Sequence, residues 1–77
     1  MLLNVLILNP AKIIFEGQAK SVVLPGEEGV FEILPFHKRI LSRLVGGKIV
    51  LDQRAIPIRR GIVKADQNMV TVILEEK

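Results

Sequence analysis

The residues best suited to chemistry lie close together between Pro25 and Leu41. His37 is the only histidine of the chain, and histidine is the side chain whose charge changes near neutral pH. Three carboxylates and a basic pair surround it in the sequence: Glu27, Glu28, Glu32, Lys38 and Arg39. Such a group could serve as an acid/base site, a metal site or a charged contact surface.

Catalysis by these residues lacks a nucleophile with a recognisable setting. The chain has no cysteine, and neither Ser21 nor Ser42 lies in a G-x-S-x-G turn. A single histidine near Glu27 or Glu32 has none of the ligand spacings of a metal site. The Gly-Glu-Glu-Gly turn would repel a phosphate. We therefore predict no catalytic, cofactor-binding or metal-binding residue, and no cofactor.

Composition predicts one small domain over residues 1–77. Hydrophobic residues make up 49% of the chain and aromatic residues 4%, all of them Phe, which favours strands built from aliphatic side chains. The net charge of +3 would suit nucleic acid, an acidic protein surface or an anionic membrane. The apolar opening, residues 2–8, lacks a positive n-region and a cleavage site, so it predicts a buried strand rather than a signal peptide.

Turn residues recur at short intervals and predict an all-β sandwich or barrel. One segment, residues 40–45, is ambiguous because its apolar residues also fit helical spacing. Pro57 predicts an edge position or a strand end. The last strand has Thr71 as its only polar residue, which predicts burial on both faces or cover by a partner. The candidate strands are residues 2–8, 13–15, 21–24, 30–34, 48–51, 55–58, 62–65 and 69–74.

Nucleic-acid binding is the alternative function that the sequence leaves open. The pairs Arg59-Arg60 and Lys38-Arg39 could contact phosphates. Small β-barrels that bind single strands usually add stacking aromatics, and this chain has only three Phe.

The order of motifs in IIFEGQAKSVVLPGEEGVFEILPFHKRIL resembles the epsilon subunit of the rotary F-type ATP synthase. The most specific pieces are Phe15-Glu16-Gly17 and Leu34-Pro35-Phe36-His37. The resemblance continues through a Gly-Gly turn at 46–47 and the last strand, 68–73, and covers essentially the whole chain.

The resemblance implies a flattened sandwich of two antiparallel sheets with about 8–10 short strands, and it assigns residues 40–45 to a strand. It implies a non-catalytic rotor subunit that couples the gamma subunit to the membrane rotor ring during ATP synthesis. Localisation would be peripheral, on the cytoplasmic face of a bacterial inner membrane, with membrane contact only through the complex and no nucleic-acid partner. Residues 26–39 would form the end of the sandwich that meets partners, and the predicted partner-binding residues are Glu27, Glu28, Glu32, Phe36, His37, Lys38 and Arg39.

Several positions depart from the family pattern. Phe36 replaces a family glycine, and it is either an anchor for a partner or a plug closing the sandwich; we favour the anchor. His37 either contacts a partner or caps a neighbouring backbone group.

The family generally continues into a C-terminal helical hairpin that can inhibit ATP hydrolysis, whereas this sequence stops at Lys77, so neither inhibition nor nucleotide binding is predicted.

Overall fold

The computed structural model describes residues 1–75, and all regular structure in that part of the chain is β-strand. This confirms the all-β prediction, including the strand at residues 40–44. Ile40 and Leu44 are four residues apart, so they share a face in a strand as well as in a helix, which is why the helical spacing was misleading. The nine strands are β1 Leu3–Leu8, β2 Ile13–Ala19, β3 Val22–Gly26, β4 Gly29–Ile33, β5 Ile40–Leu44, β6 Gly47–Leu51, β7 Arg54–Ile58, β8 Gly61–Asp66 and β9 Met69–Leu74.

The strands form one hydrogen-bonded path that curls into two layers. The first layer has the order β2-β1-β9-β8-β5, and the path continues through β3-β6-β7, with β4 paired to the other edge of β3. The guanidinium of Arg54 on β7 lies 5.3 Å from the centre of the Phe15 ring on β2, so the two ends of the path meet. The principal extents of 33 × 26 × 21 Å agree with a flattened sandwich.

One pair of neighbours corrects the expectation of purely antiparallel sheets. β1 and β9 run parallel, whereas the other paired strands are antiparallel. Parallel neighbours need a long connection, and here that connection is the whole chain between the first strand and the last.

The core consists of aliphatic side chains that alternate along the strands. Val70, Val72 and Leu74 of β9 point into it, while Met69 and Ile73 are exposed. Of the two alternatives predicted for β9, burial on both faces within this chain is therefore wrong, and cover of the exposed face by a partner stays a prediction. The buried hydrophobic residues are Leu3, Val5, Ile7, Ala19, Val22, Leu24, Ile33, Leu44, Ile49, Leu51, Ile58, Val63, Ala65, Val70, Val72 and Leu74.

Strand edges and corners follow local sequence. Pro57 lies in β7, which among the described strands pairs only with β6, so the edge position is confirmed. At the corner between β5 and β6, a Cβ on Gly47 would lie 2.9 Å from the Cβ of Pro25, so only glycine fits this crossing between layers. β2 extends past its predicted end, because Gly17 leaves room for the Phe15 ring, which would lie 3.2 Å from an added Cβ. No helix in residues 1–75 could span a membrane.

Candidate interaction surfaces

The Gly26–Gly29 turn presents Glu27 and Glu28 at the tip of the β3–β4 hairpin. A Cβ on Gly26 would approach the Phe31 ring to 2.7 Å and the Gly29 carbonyl oxygen to 2.8 Å, and Gly29 has a φ of 130°. The backbone N–H of Glu27 donates to the carbonyl of Arg43 at 3.2 Å, which ties the tip to β5. Both carboxylates are exposed on a backbone that is held in place.

The Leu34–His37 turn holds Phe36 in an unusual backbone conformation. The N–H of His37 donates to the carbonyl of Leu34 at 3.2 Å, and Phe36 has a φ of 68°. Pro at the second position and a positive φ at the third are the features of a type II turn, whose third position favours glycine. The left-handed region costs a residue with a Cβ about 1–2 kcal/mol. Phe36 therefore occupies a strained site that glycine would fill without strain.

Phe36 projects into solvent at the end of the sandwich. The residue is 76% exposed, which excludes the alternative that it plugs the core; the favoured alternative, an anchor for a partner, stays a prediction. Its backbone N–H donates to Oδ1 of Asn68 at 2.7 Å, which fixes this turn to the β8–β9 turn. A rigid backbone with an exposed aromatic side chain is a suitable anchor for a partner.

The residues after Phe36 are exposed and weakly tied. Nδ1 of His37 lies 3.0 Å from the carbonyl oxygen of Lys38, in agreement with the capping role, and the ring remains accessible for contact. Nε of Arg39 lies 3.6 Å from Oδ2 of Asp66, with both side chains solvated. Exposed ion pairs of this kind add about 0–1 kcal/mol to stability.

The structure does not bring the predicted site residues together on one surface. Val22 pairs with Ile33 and Gly26 with Gly29, so the β3–β4 hairpin separates the Glu27–Glu28 tip from the turn after Ile33. Five strand residues at about 3.3 Å each place these turns at opposite ends of the sandwich. Glu32 lies between them on the outer side of β4, opposite Val23. The expectation that residues 26–39 form one end is wrong, because an antiparallel hairpin returns the chain to its starting end.

Two polar side chains outside the turns form hydrogen bonds with backbone groups. Oγ of Ser42 donates to the carbonyl of Arg43 at 3.2 Å, and Asp52 accepts backbone N–H groups from Lys20 and Ser21. Within residues 1–75 no three His, Asp or Glu side chains cluster closely enough to hold a metal. The arrangement is suited to binding through surfaces.

The Arg59-Arg60 pair lies on the turn between β7 and β8, close to a groove of about 750 Å³. Nη1 of Arg60 lies 3.9 Å from Oε2 of Glu75, both exposed. Phe15 and Phe31 are half-buried against the core, so no row of stacking aromatics accompanies the pair. Single-strand binding lacks its usual platform here.

The outer side of the first layer is the surface that sequence reasoning located only in part. Across the strands, Ile13 pairs with Leu8, Leu8 with Ile73 and Ile73 with Ile62, which makes a continuous apolar row. The absence of polar residues in β9 other than Thr71 was the available signal. The other residues of this surface lie on other β-strands. The residue pattern within one β-strand does not show which residues of another strand lie beside it. We call the following set the apolar face: Leu6, Leu8, Ile13, Leu41, Ile62, Met69 and Ile73.

Comparisons with known proteins agree with this fold. Residues 2–76 match the family model described as ATP synthase, Delta/Epsilon chain, beta-sandwich domain. The ATP synthase epsilon chain of a Nitratiruptor species is 39% identical over 74 residues, covering 90% of this chain and 57% of the relative. That of a Sulfurovum species is 37% identical, covering 96% of this chain and 62% of the relative.

A solved structure also matches. A chain of the central stalk and c-ring structure of the Tetrahymena thermophila mitochondrial ATP synthase has a TM-score of 0.78 at 13% identity, covering 96% of this chain and 63% of that chain. At this identity the likeness shows the fold. This chain spans about three fifths of the length of the curated relatives it matches.

Proposed function

Because the chain belongs to the family of the ATP synthase delta/epsilon chain beta-sandwich domain, we propose that it is a non-catalytic rotor subunit of an F-type ATP synthase. In this role it couples the gamma subunit to the membrane rotor ring during ATP synthesis, and residues 1–77 act as one domain. The observation that carries the proposal is the family match over residues 2–76. The bacterial epsilon chains that match nearly the whole chain support it.

The two kinds of surface suit two kinds of partner. The apolar face is suited to a permanent neighbour, because obligate interfaces are more apolar than transient ones. We assign it to the gamma subunit. The turns at the two ends carry charges and the exposed Phe36, and suit the polar loops of a ring.

The partner-binding residues follow this division. We propose that Phe36, His37, Lys38 and Arg39 act as one contact at their end of the sandwich. Glu27 and Glu28 form a second contact at the hairpin tip, and Glu32 lies on the strand between the two. Membrane association occurs only through the complex, at the cytoplasmic face of a bacterial inner membrane.

Co-expression with the gamma and ring subunits of the same ATP synthase tests the function. The chain should co-purify with the gamma subunit and increase recovery of the ring with it. A chain with Val72→Asp, which disrupts the core, serves as the unfolded control. Failure of the folded chain to be retained on either subunit would contradict the proposal. Nucleic-acid binding is not retained as an alternative, since the comparisons give it no support.

A further inference from the structure

Within residues 1–75, one edge of β5 has no neighbouring strand over most of its length. β5 pairs with β8 from Ile40 to Leu44, but its other edge meets β3 only at the Gly26–Leu44 pair. β4 cannot fill this place, because it pairs with the far edge of β3. We call the unpaired side of residues 39–43 the free edge.

The hydrogen bonds at the corner show which backbone groups point outward. The carbonyl of Arg43 accepts from Glu27, and the N–H of Val45 donates to Pro25, so both groups point away from β8. Directions alternate along a strand, so the N–H and carbonyl of Leu41 point the same way. Those of Ser42 point toward β8. The N–H groups of Leu41 and Arg43 can therefore donate hydrogen bonds to another strand, and the carbonyl of Leu41 can accept one.

The space beside the free edge is large enough for a strand. A cleft of about 600 Å³ lies between the β3–β4 hairpin and β5. Its lining includes the half-buried Phe31 and Ile40 and, at the hairpin tip, the exposed carboxylates of Glu27 and Glu28. The Leu41 side chain is 75% exposed on the outer side. An added strand would cover the two half-buried side chains with its inward residues and contact Leu41 with an outward one.

The charged side chains along the free edge indicate which kind of strand could bind there. Arg39, Leu41 and Arg43 alternate onto the outer side, and Lys64 lies opposite Leu41 on β8. Arg39 is paired to Asp66, while within residues 1–75 no carboxylate lies within 4.0 Å of the Arg43 guanidinium. Antiparallel self-pairing centred on Leu41 would place Arg39 opposite Arg43, and like charges directly opposite are destabilising. A second copy is thus disfavoured. Because Glu27 and Glu28 line the hairpin side of the cleft, a carboxylate of the added strand is favoured beside Arg43 and disfavoured over the cleft.

We propose that the free edge of β5 binds an extended segment of the gamma subunit by β-strand addition, with one carboxylate of that segment beside Arg43. The segment places an apolar residue beside Leu41, a carboxylate beside Arg43 and small apolar residues over the cleft. This inference rests on the proposed function and adds how the partner is held. Charged side chains on edge strands also discourage aggregation, and the experiment separates that protective role from binding.

Proline substitutions at adjacent positions give a matched pair. Leu41→Pro removes an N–H that has no hydrogen-bond partner within the described residues, 1–75, so the fold should survive. Ser42→Pro removes a bond to β8 and should destabilise the fold. With gamma subunit as the probe in a titration, Leu41→Pro should raise the apparent Kd about tenfold or more relative to Leu41→Ala, which loses the same side chain of the apolar face but keeps the N–H. Arg43→Glu should also weaken binding, and the same charge change on the exposed Lys48 of β6 should not.

Amide hydrogen exchange provides a readout without substitution. In the free chain the Leu41 and Arg43 amides should exchange rapidly and the Ser42 amide slowly; on adding gamma subunit the first two should become protected. Undiminished binding by folded Leu41→Pro, or no new protection at Leu41, overturns this inference alone. Concentration-dependent dimers lost in Leu41→Pro would assign the edge to a second copy and also overturn it. Failure of the unsubstituted chain to bind the gamma subunit overturns the proposed function and this inference with it.

Discussion

At the scale of single residues, Phe36 combines two properties that seldom occur together. Its backbone is left-handed, and its ring faces solvent although the core has few aromatics. Neither property stabilises the free chain, since strain costs energy and an exposed ring buries nothing. This is the reason for our proposal that the aromatic side chain contacts a partner.

Replacement of Phe36 should separate strain from binding. Phe36→Gly should raise the free energy of unfolding by about 1 kcal/mol because glycine relieves the left-handed conformation. Phe36→Ala keeps the backbone strain and should leave Tm nearly unchanged. Both should weaken binding to the stalk or ring by about 1 kcal/mol or more.

Urea unfolding and a binding titration measure the two effects. A loss of about 3–5 kcal/mol of stability in Phe36→Ala would instead be the signature of a buried plug. Unchanged binding in both variants would remove Phe36 from the partner contact.

At the scale of elements, glycines set where the chain can cross between layers. Gly26 lies where β3 meets both β4 and β5, and its Cα hydrogen faces the Phe31 ring and the Gly29 carbonyl. Gly46, at the β5–β6 corner, has more room, since the nearest atom to an added Cβ is the Arg59 carbonyl oxygen at 3.7 Å. A side chain at Gly26 would therefore clash with its neighbours, whereas Gly46 has room for a methyl group.

An alanine at each position should report this difference. Gly26→Ala should cost about 1–3 kcal/mol because backbone and ring must shift to admit the methyl group. Gly46→Ala should change stability by less than about 1 kcal/mol, with the reduced freedom of the unfolded chain favouring the folded state. Thermal unfolding followed by circular dichroism compares them, and equal losses at both positions would contradict the assigned packing.

At the scale of the whole molecule, the sandwich has a core on one side of its first layer and an apolar face on the other. Ile73 is 53% exposed and its neighbour Val72 is 0% exposed, so consecutive residues of β9 face different environments. The stability of the fold depends on the core side. Under the proposed function, partner binding depends on the apolar face.

Serine substitutions in β9 should separate these two roles. Val72→Ser should cost about 3 kcal/mol or more, since it leaves a cavity and buries a hydroxyl. Ile73→Ser should change stability by about 0.5 kcal/mol at most and weaken retention on the gamma subunit. Chemical unfolding and co-purification are the measurements. A binding-competent Ile73→Ser chain would exclude the apolar face from that contact.

Local sequence was sufficient for most of the strands, because alternation and turn residues act within a few positions. Pro57 indicated its edge, and the breaks at Gly29 and at Asn68 set hairpin ends. Residues 40–44 were ambiguous by spacing, since residues four apart share a face in helices and strands alike. The resemblance to a family, rather than periodicity, decided that element correctly.

What the sequence alone determined was the all-β class, the strand positions, the aliphatic core and the exposed charges of both turns. Only the tertiary structure decided that β1 lies parallel to β9, that Glu27 and Phe36 lie at opposite ends, and that β5 keeps a free edge. The physical reason is the separation along the chain over which each kind of interaction acts. Alternation and turn chemistry act between near neighbours in the chain, whereas pairing depends on how distant strands bury their apolar sides together, and that is settled only when the sandwich closes.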